Sequence, residues 1–563
     1  MQLVHGLHFR NLRGDLFGGL TAAIVALPLA LAFGVSVSPE NGAIMGLYGA
    51  VFIGFFAALF GGTPSQISGP TGPMTVVMAT VFGSFVSQNP GTEGMAIAFT
   101  VVMMGGAFQI LFGLLRLGKY ITLIPYTVIS GFMSGIGFII LFLQIGPFFG
   151  HQGSANVIES LQKFSEFASN PNPIAMGLAV LTLVIVFGSP PKLNRIIPSP
   201  LLALVVCTLI SVFIFPDSGI PVIGKIPTGL PQPQLPRLNF NQMRMMVEYG
   251  LILGTLGSID SLLTSLVADN ITRTTHDSDK ELIGQGIGNL LAGLFGGLPG
   301  AGATMRTVVN VRAGGKTPIS GMVHALFLLI IVLGGGNFLL IKIEDIPNAV
   351  LAGILIKVGI DIIDWSFIKR AHKISMRATG LMYVVLFLTV FVDLITAVAV
   401  GVFFANIFAL KRLTDLQAKE VKAIRNPHDD AEQLDLSLAE EQILNKADGR
   451  ILFIHLGGPM SFGAAKAISQ QMSIVEDYDV LILEFNEVPY LGVTATLAIE
   501  NMVKEAYERR RNVYFVGASG IVKDRLQCLK ILRRVLEQNP VNSRLEALER
   551  GMVLVNQRQV KSN

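Results

Sequence analysis

The chain has 563 residues, of which 51% are hydrophobic and only 14% are charged. Soluble globular proteins carry about 25% charged residues and split into domains beyond roughly 250–300 residues, so this composition excludes a single soluble domain. The 42 basic and 38 acidic residues leave a net charge of +4, which is too balanced to indicate a nucleic-acid-binding protein. A lipid bilayer accommodates this much apolar surface, and the sequence therefore predicts a membrane protein.

The first apolar segment follows a short stretch that contains Arg10 and Arg13. No short apolar region with a small-residue cleavage site follows, so this segment is predicted to be an uncleaved membrane span. A crossing requires about 20 mostly apolar residues. The fourteen predicted elements are 16–37, 43–61, 70–86, 95–115, 121–147, 173–189, 199–216, 245–269, 281–296, 303–312, 317–334, 346–363, 379–393 and 395–411. Two of them, 70–86 and 303–312, are too short to cross.

Basic residues alternate between the connections that join these elements, and loop Lys and Arg set the orientation of a membrane protein. The outer segments 86–95 and 148–172 contain Lys163 as their single Lys or Arg. The connections predicted on the cytoplasmic side contain Arg116, Lys119, Lys192, Arg195, Arg273, Lys280, Lys369, Arg370, Lys373 and Arg377. This bias predicts that both termini are cytoplasmic.

An internal repeat relates the two halves of the apolar region. Residues 60–64 read Phe-Gly-Gly-Thr-Pro, and residues 295–299 read Phe-Gly-Gly-Leu-Pro. The pattern Ile-Pro-x-x-Val-x-x-Gly begins at Ile124 and again at Ile346, with a further glycine 13 positions after each isoleucine. The two matches occur in the same order along the chain, which favours a true repeat over the general frequency of Gly and Pro in membrane helices.

Seven elements in each half place the second half upside down relative to the first. The sequence therefore predicts inverted repeats over about 15–216 and 245–411. Paired, interrupted helices in such repeats are typical of the substrate site of a secondary transporter, and the short segments 70–86 and 303–312 fit that pattern.

The composition changes after residue 412. Residues 413–449 are polar and charged and are predicted to form a linker or a short helix. Strands are predicted at 451–454, 480–483 and 513–516, with helices near 462–475 and 494–510. Strands that alternate with helices indicate a small α/β domain over residues 450–563.

The two interrupted segments form the first candidate site. One reads Ile-Ser-Gly-Pro-Thr-Gly-Pro over residues 67–73, and the other reads Gly-Ala-Gly-Ala-Thr-Met-Arg over residues 300–306. Backbone amides at a helix N-terminus are unpaired and carry partial positive charge, so two facing ends suit an anion. The alternative is close helix packing through small residues. The candidate substrate-binding residues are Thr71, Gly72, Ala303, Thr304 and Arg306.

Asp260 is the second candidate, because it lies in the long apolar segment 245–269. A carboxylate at this depth costs free energy and indicates function. Thr264 is four residues further and shares its helical face. Their oxygens, with free carbonyls of a broken helix, suit a small hard cation such as sodium. A proton is the alternative coupling ion, and a structural ion pair between Asp260 and Arg306 is a third interpretation.

Two further polar residues lie in apolar segments. Arg306 either adds positive potential to the anion site or lies at the inner mouth in contact with water. His324 is predicted to be a hydrogen-bonded residue of the helix packing rather than a proton relay. The sequence contains no motif of a metal cluster, a catalytic nucleophile or a phosphate-binding loop, so neither an enzymatic activity nor a cofactor is predicted.

These residues resemble the SulP/SLC26 family of anion transporters. The family's opening signature resembles Asp-Leu-Phe-Gly-Gly-Leu-Thr at residues 15–21, followed by residues 26–32. Its third-helix motif resembles residues 68–73. Its tenth-helix motif resembles Thr-Met-Arg-Thr at residues 304–307, followed by Gly-Gly-Lys-Thr at residues 314–317. The match covers nearly the whole chain.

The resemblance implies a fold and an assembly. The transport domain, residues 1–412, is expected to be an α-helical polytopic 7+7 inverted repeat in which a core domain moves against a gate domain. Residues 450–563 resemble a STAS domain, which is expected to lie in the cytoplasm and to form a homodimer. A multi-pass protein of the plasma or inner membrane is expected.

The resemblance also implies the solutes. Within the family, the chain resembles the sodium-dependent bicarbonate transporters of cyanobacteria, so sodium-coupled bicarbonate symport by alternating access is expected. Bicarbonate is expected between Thr71 and the backbone of Ala303 and Thr304. A proton-coupled transporter of sulfate or another anion, and a passive anion channel, are the alternatives. The sodium ion is expected at Asp260, Thr264, Gly302, Ala303 and Thr304.

Three positions depart from the family pattern. Leu29 follows Pro28 where many members carry glutamine, so an amide that contacts the anion is missing. Met305 replaces a serine before Arg306. Val493 stands at the usual phosphoacceptor position of STAS domains, and phosphorylation is not expected there.

Overall fold

The computed structural model describes residues 5–562, apart from 90–91, 122–124, 155, 191–192, 194–196, 217–218, 225–230, 335–336, 339–340, 393, 426–435 and 475–476. The chain divides into two compact units, Met1–Ala405 and Asn406–Asn563. The strands described in the first unit are β1 (Ser68–Gly69), β2 (Ala301–Gly302), β3 (Asn337–Phe338) and β4 (Ile341–Lys342). Ile124, Lys192 and Arg195, which contribute to the predicted repeat and orientation, lie outside the described residues.

Each apolar segment predicted from the sequence coincides with a helix. The helices are α1 (Leu12–Val37), α2 (Gly42–Phe60), α3 (Gly72–Gln88), α4 (Thr92–Leu114), α5 (Tyr126–Leu143), α6 (Pro173–Gly188), α7 (Ser199–Ile214), α8 (Met243–Thr272), α9 (Ser278–Leu294), α10 (Thr304–Arg312), α11 (Pro318–Leu333), α12 (Asn348–Ile362), α13 (Met376–Phe391) and α14 (Leu394–Lys419). Shorter helical segments lie between them at Gly118–Ile121, Ile145–Phe148, Val157–Gln162, Phe164–Ser169 and Trp365–Ile374.

Only some of the described helices are long enough to cross a bilayer. Six of those in the described chain, α1, α2, α4, α5, α8 and α14, are long and apolar enough to cross by length and composition. The shorter apolar helices are α6, α7, α11 and α13. Proline occupies the first turn of α6, α7 and α11, where its missing N–H costs no helical hydrogen bond. Proline therefore sets where these helices begin rather than breaking them.

The helices pack into two groups. In the core group, α1–α4 and α8–α11, α4 packs against α8 and α9, and α2 packs against α1, α9 and α11. In the gate group, α5–α7 and α12–α14, α5 packs against α12 and α13, and α6 packs against α7 and α12. Each group combines helices from both sequence repeats, as inverted repeats that interdigitate require.

Equivalent residues of the two repeats make reciprocal contacts. Gly137 in α5 and Gly359 in α12 occupy equivalent positions of the repeated pattern. A Cβ atom added at Gly137 would lie 2.7 Å from the carbonyl oxygen of Gly359, and one added at Gly359 would lie 3.0 Å from that of Gly137. The two helices therefore cross with their backbones in contact, as small residues allow in membrane proteins.

Glycine also holds α4 against α9, and one substitution tests this packing. A Cβ atom at Gly106 would lie 2.6 Å from the carbonyl oxygen of Gly286 and from the amide nitrogen of Leu290, and backbone atoms cannot turn away as a side chain can. We expect Gly106→Ala to lower the free energy of unfolding by about 1–3 kcal/mol, and with it the midpoint of thermal unfolding in detergent. Gly83→Ala in α3 is the matched control, since its Cβ would meet nothing within 4 Å. Equal midpoints for the two variants would contradict this account.

The second unit is an α/β domain around a four-stranded sheet in the order β5-β6-β7-β8. The strands are β5 (Val421–Ile424), β6 (Ile451–Gly457), β7 (Val480–Glu487) and β8 (Asn512–Val516). β5 is antiparallel to β6, whereas β6, β7 and β8 are parallel. Apolar clusters on both faces bury the central strands. The helices are α15 (Leu438–Ala447), α16 (Phe462–Ile474), α17 (Val493–Glu508), α18 (Gly520–Gln527), α19 (Lys530–Gln538) and α20 (Arg544–Ser562).

The segment 413–449, predicted to be a linker, contains elements of this domain. α14 continues to Lys419, and β5 then pairs with β6, with Val421 opposite Leu456. α15 begins at a capping box, in which Ser437 and Glu440 bond each other's backbone amides. The polar composition reflects an edge strand and an exposed helix face, both of which are hydrophilic on one side. The residues between β5 and α15 lie largely outside the described ones.

Candidate substrate site

Two short strands join the two halves of the core group. β1 and β2 pair antiparallel, with Ser68 opposite Gly302 and Gly69 opposite Ala301. The Ala303 amide also donates to the Ile67 carbonyl at 2.8 Å. Because the strands run in opposite directions and α3 and α10 begin directly after them, the N-termini of the two helices point toward each other. This is the arrangement that an anion site between helix ends requires.

The N-terminus of α3 carries a hydroxyl without a partner. Thr71 is the N-cap residue, but its side chain makes no capping bond, and its buried Oγ1 has no hydrogen-bond partner among the described residues. Arg306 in α10 is buried and donates from Nη2 to the carbonyl of Pro70. Its charge therefore lies beside the start of α3 and is buried from water.

Helix α8 brings Thr264 to the second interrupted segment. Its Oγ1 donates to the carbonyl of Gly302 at 3.0 Å and lies 2.8 Å from Oγ1 of Thr304. Ser261, one turn earlier on α8, accepts a hydrogen bond from the Gly302 amide at 3.0 Å. These contacts gather hydroxyl and carbonyl oxygens where β2 meets α10.

Asp260 lies one turn before Thr264 on the same face of α8. Its Oδ2 is buried and has no hydrogen-bond partner in the described part of the chain. No ion pair joins Arg306 to this carboxylate among the described residues, so the structural pair considered from the sequence is not found there. A carboxylate left unpaired in a membrane helix is costly unless a cation or a proton binds to it.

The site lies where the core group meets the gate group. Asp260 borders a cavity of about 20 Å³ whose opposite wall includes Phe132 of α5 and Val398 of α14. A Cβ atom at Gly72 would lie 2.7 Å from Cδ1 of Ile362 in α12. A larger cavity of about 380 Å³ lies between α3 and α8 on one side and α5 and α13 on the other. Both candidate solute positions therefore face the boundary between the two helix groups.

A second buried carboxylate, Glu281 in the first turn of α9, supports the site from behind. It is 1% exposed and accepts four hydrogen bonds. Oε2 accepts from the amides of Gly62 and Thr63 at 2.9 Å each, and Oε1 accepts from Nε2 of Gln66 and of Gln285 at 2.8 Å each. All four partners are N–H donors, so the carboxyl group acts as an ionised acceptor. It fixes the chain that leads from α2 into β1.

Gln285 and Asn289 continue this polar stripe along α9. Gln285 Nε2 also donates to Ser68 Oγ at 2.6 Å, and Asn289 exchanges two hydrogen bonds with the backbone of Gly300 at 2.9 Å each. Glu281, Gln285 and Asn289 are spaced by four, so they share one helical face, and this spacing is the signal that identifies them. The predicted segment 281–296 begins at Glu281, where a charged residue is ordinary, so the stripe is not singled out by the sequence analysis.

Asp15 connects the opening signature to the loop after α10. Its Oδ1 accepts from the amides of Lys316 and Thr317 at 2.7 and 3.0 Å, and its Oδ2 accepts from Thr317 Oγ1 at 2.8 Å. Thr317 is in turn the N-cap residue of α11. Two motifs that are about 300 residues apart therefore form one contact, and it positions the ends of α1 and α11 together.

His324 differs from its prediction. It is fully buried in α11, yet neither ring nitrogen has a hydrogen-bond partner in the described structure. The ring lies against the backbone of α2, since a Cβ atom at Gly54 would be 3.0 Å from its Nδ1. The predicted hydrogen-bonded role of His324 is therefore wrong for the described residues, because the neighbouring Gly54 has no side chain that could bond the ring.

Family comparisons cover most of the chain. Residues 12–387 match the family described as the sulfate permease family. Residues 442–547 match the STAS domain. The first range contains every candidate site residue, and the second lies within the α/β domain.

Individual proteins extend the similarity to the full length. The chain is 51% identical over 557 residues to the bicarbonate transporter BicA of Picosynechococcus sp., covering 98% of this chain and 97% of that protein. The solved transmembrane domain of a cyanobacterial bicarbonate transporter BicA has a TM-score of 0.64 and 53% identity, over 70% of this chain and 100% of that one. The murine Solute Carrier 26 family member A9 anion transporter, in its inward-facing state, has a TM-score of 0.81 at 18% identity, over 97% of this chain and 92% of that one. Because the identity to the murine protein is only 18%, this last similarity shows a shared fold and nothing more.

Proposed function

The chain belongs to the sulfate permease family, and from this premise we propose that it is a sodium-coupled bicarbonate symporter that works by alternating access. Proteins of this family are transporters, so we assign the chain no enzymatic activity. The 51% identity to a bicarbonate transporter over 98% of the chain supports bicarbonate as the substrate. Sodium coupling rests on the chemistry of the site.

The observation that carries sodium coupling is the unpaired buried carboxylate oxygen of Asp260, one helical turn from a cluster of oxygens. That cluster consists of the Thr264 hydroxyl together with the Thr304 hydroxyl and the Gly302 carbonyl, each of which lies within 3.0 Å of Thr264 Oγ1. Oxygen atoms suit a small hard cation, and the backbone of Ala303 is proposed to complete the set. A proton needs no second oxygen ligand, so the cluster favours sodium as the coupling ion.

Bicarbonate is proposed to bind beside the sodium ion, between Thr71 and the backbone of Ala303 and Thr304. The N-termini of α3 and α10 contribute partial positive charge there, Arg306 contributes a full charge, and Thr71 Oγ1 is available as a hydrogen-bond partner. Sodium neutralises the Asp260 charge that otherwise repels the anion, so each ion raises the affinity for the other. This mutual gain couples the two solutes.

Uptake of labelled bicarbonate into proteoliposomes tests this proposal. At alkaline pH, where bicarbonate exceeds dissolved carbon dioxide, we expect accumulation driven by an inward sodium gradient and none when potassium replaces sodium. Protein-free liposomes are the control, because they give the background uptake that is due to diffusion of carbon dioxide alone.

Three other outcomes would redirect the assignment. Bicarbonate uptake that is indifferent to sodium would contradict the coupled site and favour a passive anion channel or an exchanger. Sulfate uptake at low pH without bicarbonate uptake would favour a proton-coupled sulfate transporter on the same fold. Uptake of neither anion would leave the transported solute unassigned and reject bicarbonate.

We further propose that the protein resides in the plasma or inner membrane, with both termini and the STAS domain in the cytoplasm. Lys369, Arg370 and Lys373, between α12 and α13, and Arg377 in the first turn of α13 support this orientation. The STAS domain is proposed to hold a homodimer. We expect a chain truncated after about residue 440 to be monomeric by size-exclusion chromatography with light scattering, while the full chain is dimeric. A monodisperse dimer of the truncated chain would contradict this assembly.

A further inference from the structure

A cavity in the α/β domain gathers arginine side chains from separate elements. It has a volume of about 440 Å³ and is lined by Arg450, Arg509, Arg511, Arg558, Tyr478 and Asp479, with Asp477 at its rim. Arg450, Asp479 and Arg511 each directly precede a strand, β6, β7 and β8 respectively. The cavity therefore lies at the N-terminal edge of the three parallel strands. We propose that it binds a soluble phosphorylated small molecule through its phosphate group.

The arginines are held in place by one carboxylate. Asp479 pairs through Oδ2 with Arg450 Nε at 2.6 Å and through Oδ1 with Arg558 Nη1 at 2.9 Å. Arg558 Nη2 also donates to the carbonyl of Arg510. A guanidinium group has five N–H donors. The hydrogen bonds above use two donors of Arg558, whereas the Arg450 contact is an ion pair without hydrogen-bond geometry. Asp479 thus orients both groups and leaves donors for a further anion.

Arg511 forms the inner wall of the cavity. Arg511 is 8% exposed, and its guanidinium lies over the ring of Tyr478, 3.8 Å from the ring centroid. Arg510 adopts a left-handed conformation at the end of α17, with φ of 56°, and this turn brings Arg509 and Arg511 to the same cavity. A buried arginine stacked on an aromatic ring is rigid, so it loses little conformational entropy when it binds an anion.

The charge of the cavity distinguishes a binding site from an ion-pair network that only stabilises the fold. Among the described lining residues, four guanidinium groups face two carboxylates, of which Asp479 is shared by two arginines and Asp477 is exposed. Arg509 also pairs with Glu505 at 3.0 Å, but its side chain is 46% exposed, so that pair is weak. Arginines at the C-terminus of α17 complement the helix dipole. The dipole does not account for the convergence of Arg450 and Arg558 from other elements.

The excess positive charge and the planar donors indicate the class of ligand. A phosphate monoester carries about −1.5 to −2 charges at pH 7 and accepts paired hydrogen bonds from guanidinium groups. The volume of about 440 Å³ exceeds what a bare phosphate fills and leaves room for the rest of a phosphorylated molecule. Bicarbonate, with a single charge, is a poorer match to this cavity than to the membrane site.

Calorimetric titration of the full chain in detergent with inorganic phosphate, at ionic strength balanced with chloride, tests the proposal. We expect saturable binding that weakens as salt is raised, and about tenfold weaker binding for Arg509→Gln and for Arg558→Gln. Arg550→Gln is the matched control, because Arg550 lies two turns away on the same helix as Arg558 and pairs with Glu546 at 2.7 Å outside the cavity. It is expected to bind phosphate within about twofold of the unmodified chain.

Other results of the same titration would overturn the proposal. Phosphate binding no tighter than chloride binding would reject the proposal. An equal loss of phosphate affinity in Arg550→Gln and Arg558→Gln would also reject it. Loss of phosphate binding in Asp260→Asn would assign the signal to the membrane site instead. Nanodiscs containing phosphatidic acid separate the two sources of a phosphate group. Unchanged phosphate affinity in these nanodiscs supports a soluble ligand. Weaker phosphate binding through competition by phosphatidic acid would mean that the cavity binds a lipid headgroup instead.

Discussion

We expect Asp260→Asn to reduce sodium-dependent bicarbonate uptake by roughly a hundredfold. Asparagine has nearly the same volume as aspartate, so the packing of α8 is preserved while the negative charge is removed. A neutral amide cannot balance the charge of a sodium ion at this depth, so the ion and then the anion lose affinity. Initial rates of labelled bicarbonate uptake, measured over a range of sodium concentrations, report this loss.

Glu248→Gln is the matched control for this experiment. Glu248 lies on the same helix, but its side chain is 45% exposed and pairs with Arg244 at 2.8 Å. We expect its uptake to equal that of the unmodified chain, because exposed ion pairs contribute little. If Asp260→Asn transported bicarbonate normally in sodium, the coupling site would be wrongly assigned and a passive anion pathway would be favoured.

Substitution of Glu281 by glutamine is expected to disable transport through the position of β1. Of the four N–H groups that now meet carboxylate oxygens, two would face an amide N–H instead. Each buried donor left unsatisfied costs about 1–3 kcal/mol, so the loss of stability is about 2–6 kcal/mol. We expect a lower midpoint of thermal unfolding in detergent and uptake below a tenth of the unmodified rate.

Asp279→Asn separates this clamp from a general effect of charge in α9. Asp279 lies on the same helix, and its carboxylate accepts one hydrogen bond, from the Gly118 amide at 3.0 Å. Asparagine keeps an acceptor oxygen for that single donor, so stability and uptake should change little. Comparable losses in both variants would mean that Glu281 acts through charge at the helix terminus rather than through its four partners.

The membrane helices are predictable because apolar length is a local property of the sequence. The predicted segments 70–86 and 303–312 correspond to α3 and α10, displaced by at most two residues at each end. The α14 helix ends at Lys419 rather than at residue 411, because its polar last turns carry no hydropathy signal. For the same reason β5 at Val421–Ile424 falls inside a predicted linker.

Sequence analysis identifies a site residue when burying that residue in its own apolar segment costs free energy. It does not identify a residue whose role depends on partners that are distant in the sequence. Asp260 stands out because a carboxylate in an apolar helix has no ordinary explanation. Glu281 is recognised by donors that lie more than 200 residues earlier in the chain, which no local pattern reveals. The missing partners of His324 and the contact between Arg306 and the Pro70 carbonyl likewise depend on how α2, α3, α10 and α11 meet.

The unpaired state of Asp260 has an electrical consequence for the transport cycle. Among the described residues no cation pairs directly with this carboxylate, and Arg306 of the same core group keeps its charge whether the site is empty or loaded. A core group loaded with one sodium ion for each bicarbonate carries the same net charge. The loaded core group moves in one direction and the empty core group returns in the other. Because both carry the same net charge, the electrical work of the two movements cancels over a cycle. If the proposed symport has this one-to-one ratio, the energy for bicarbonate accumulation comes from the sodium concentration ratio, and a change in membrane voltage leaves that energy unaltered.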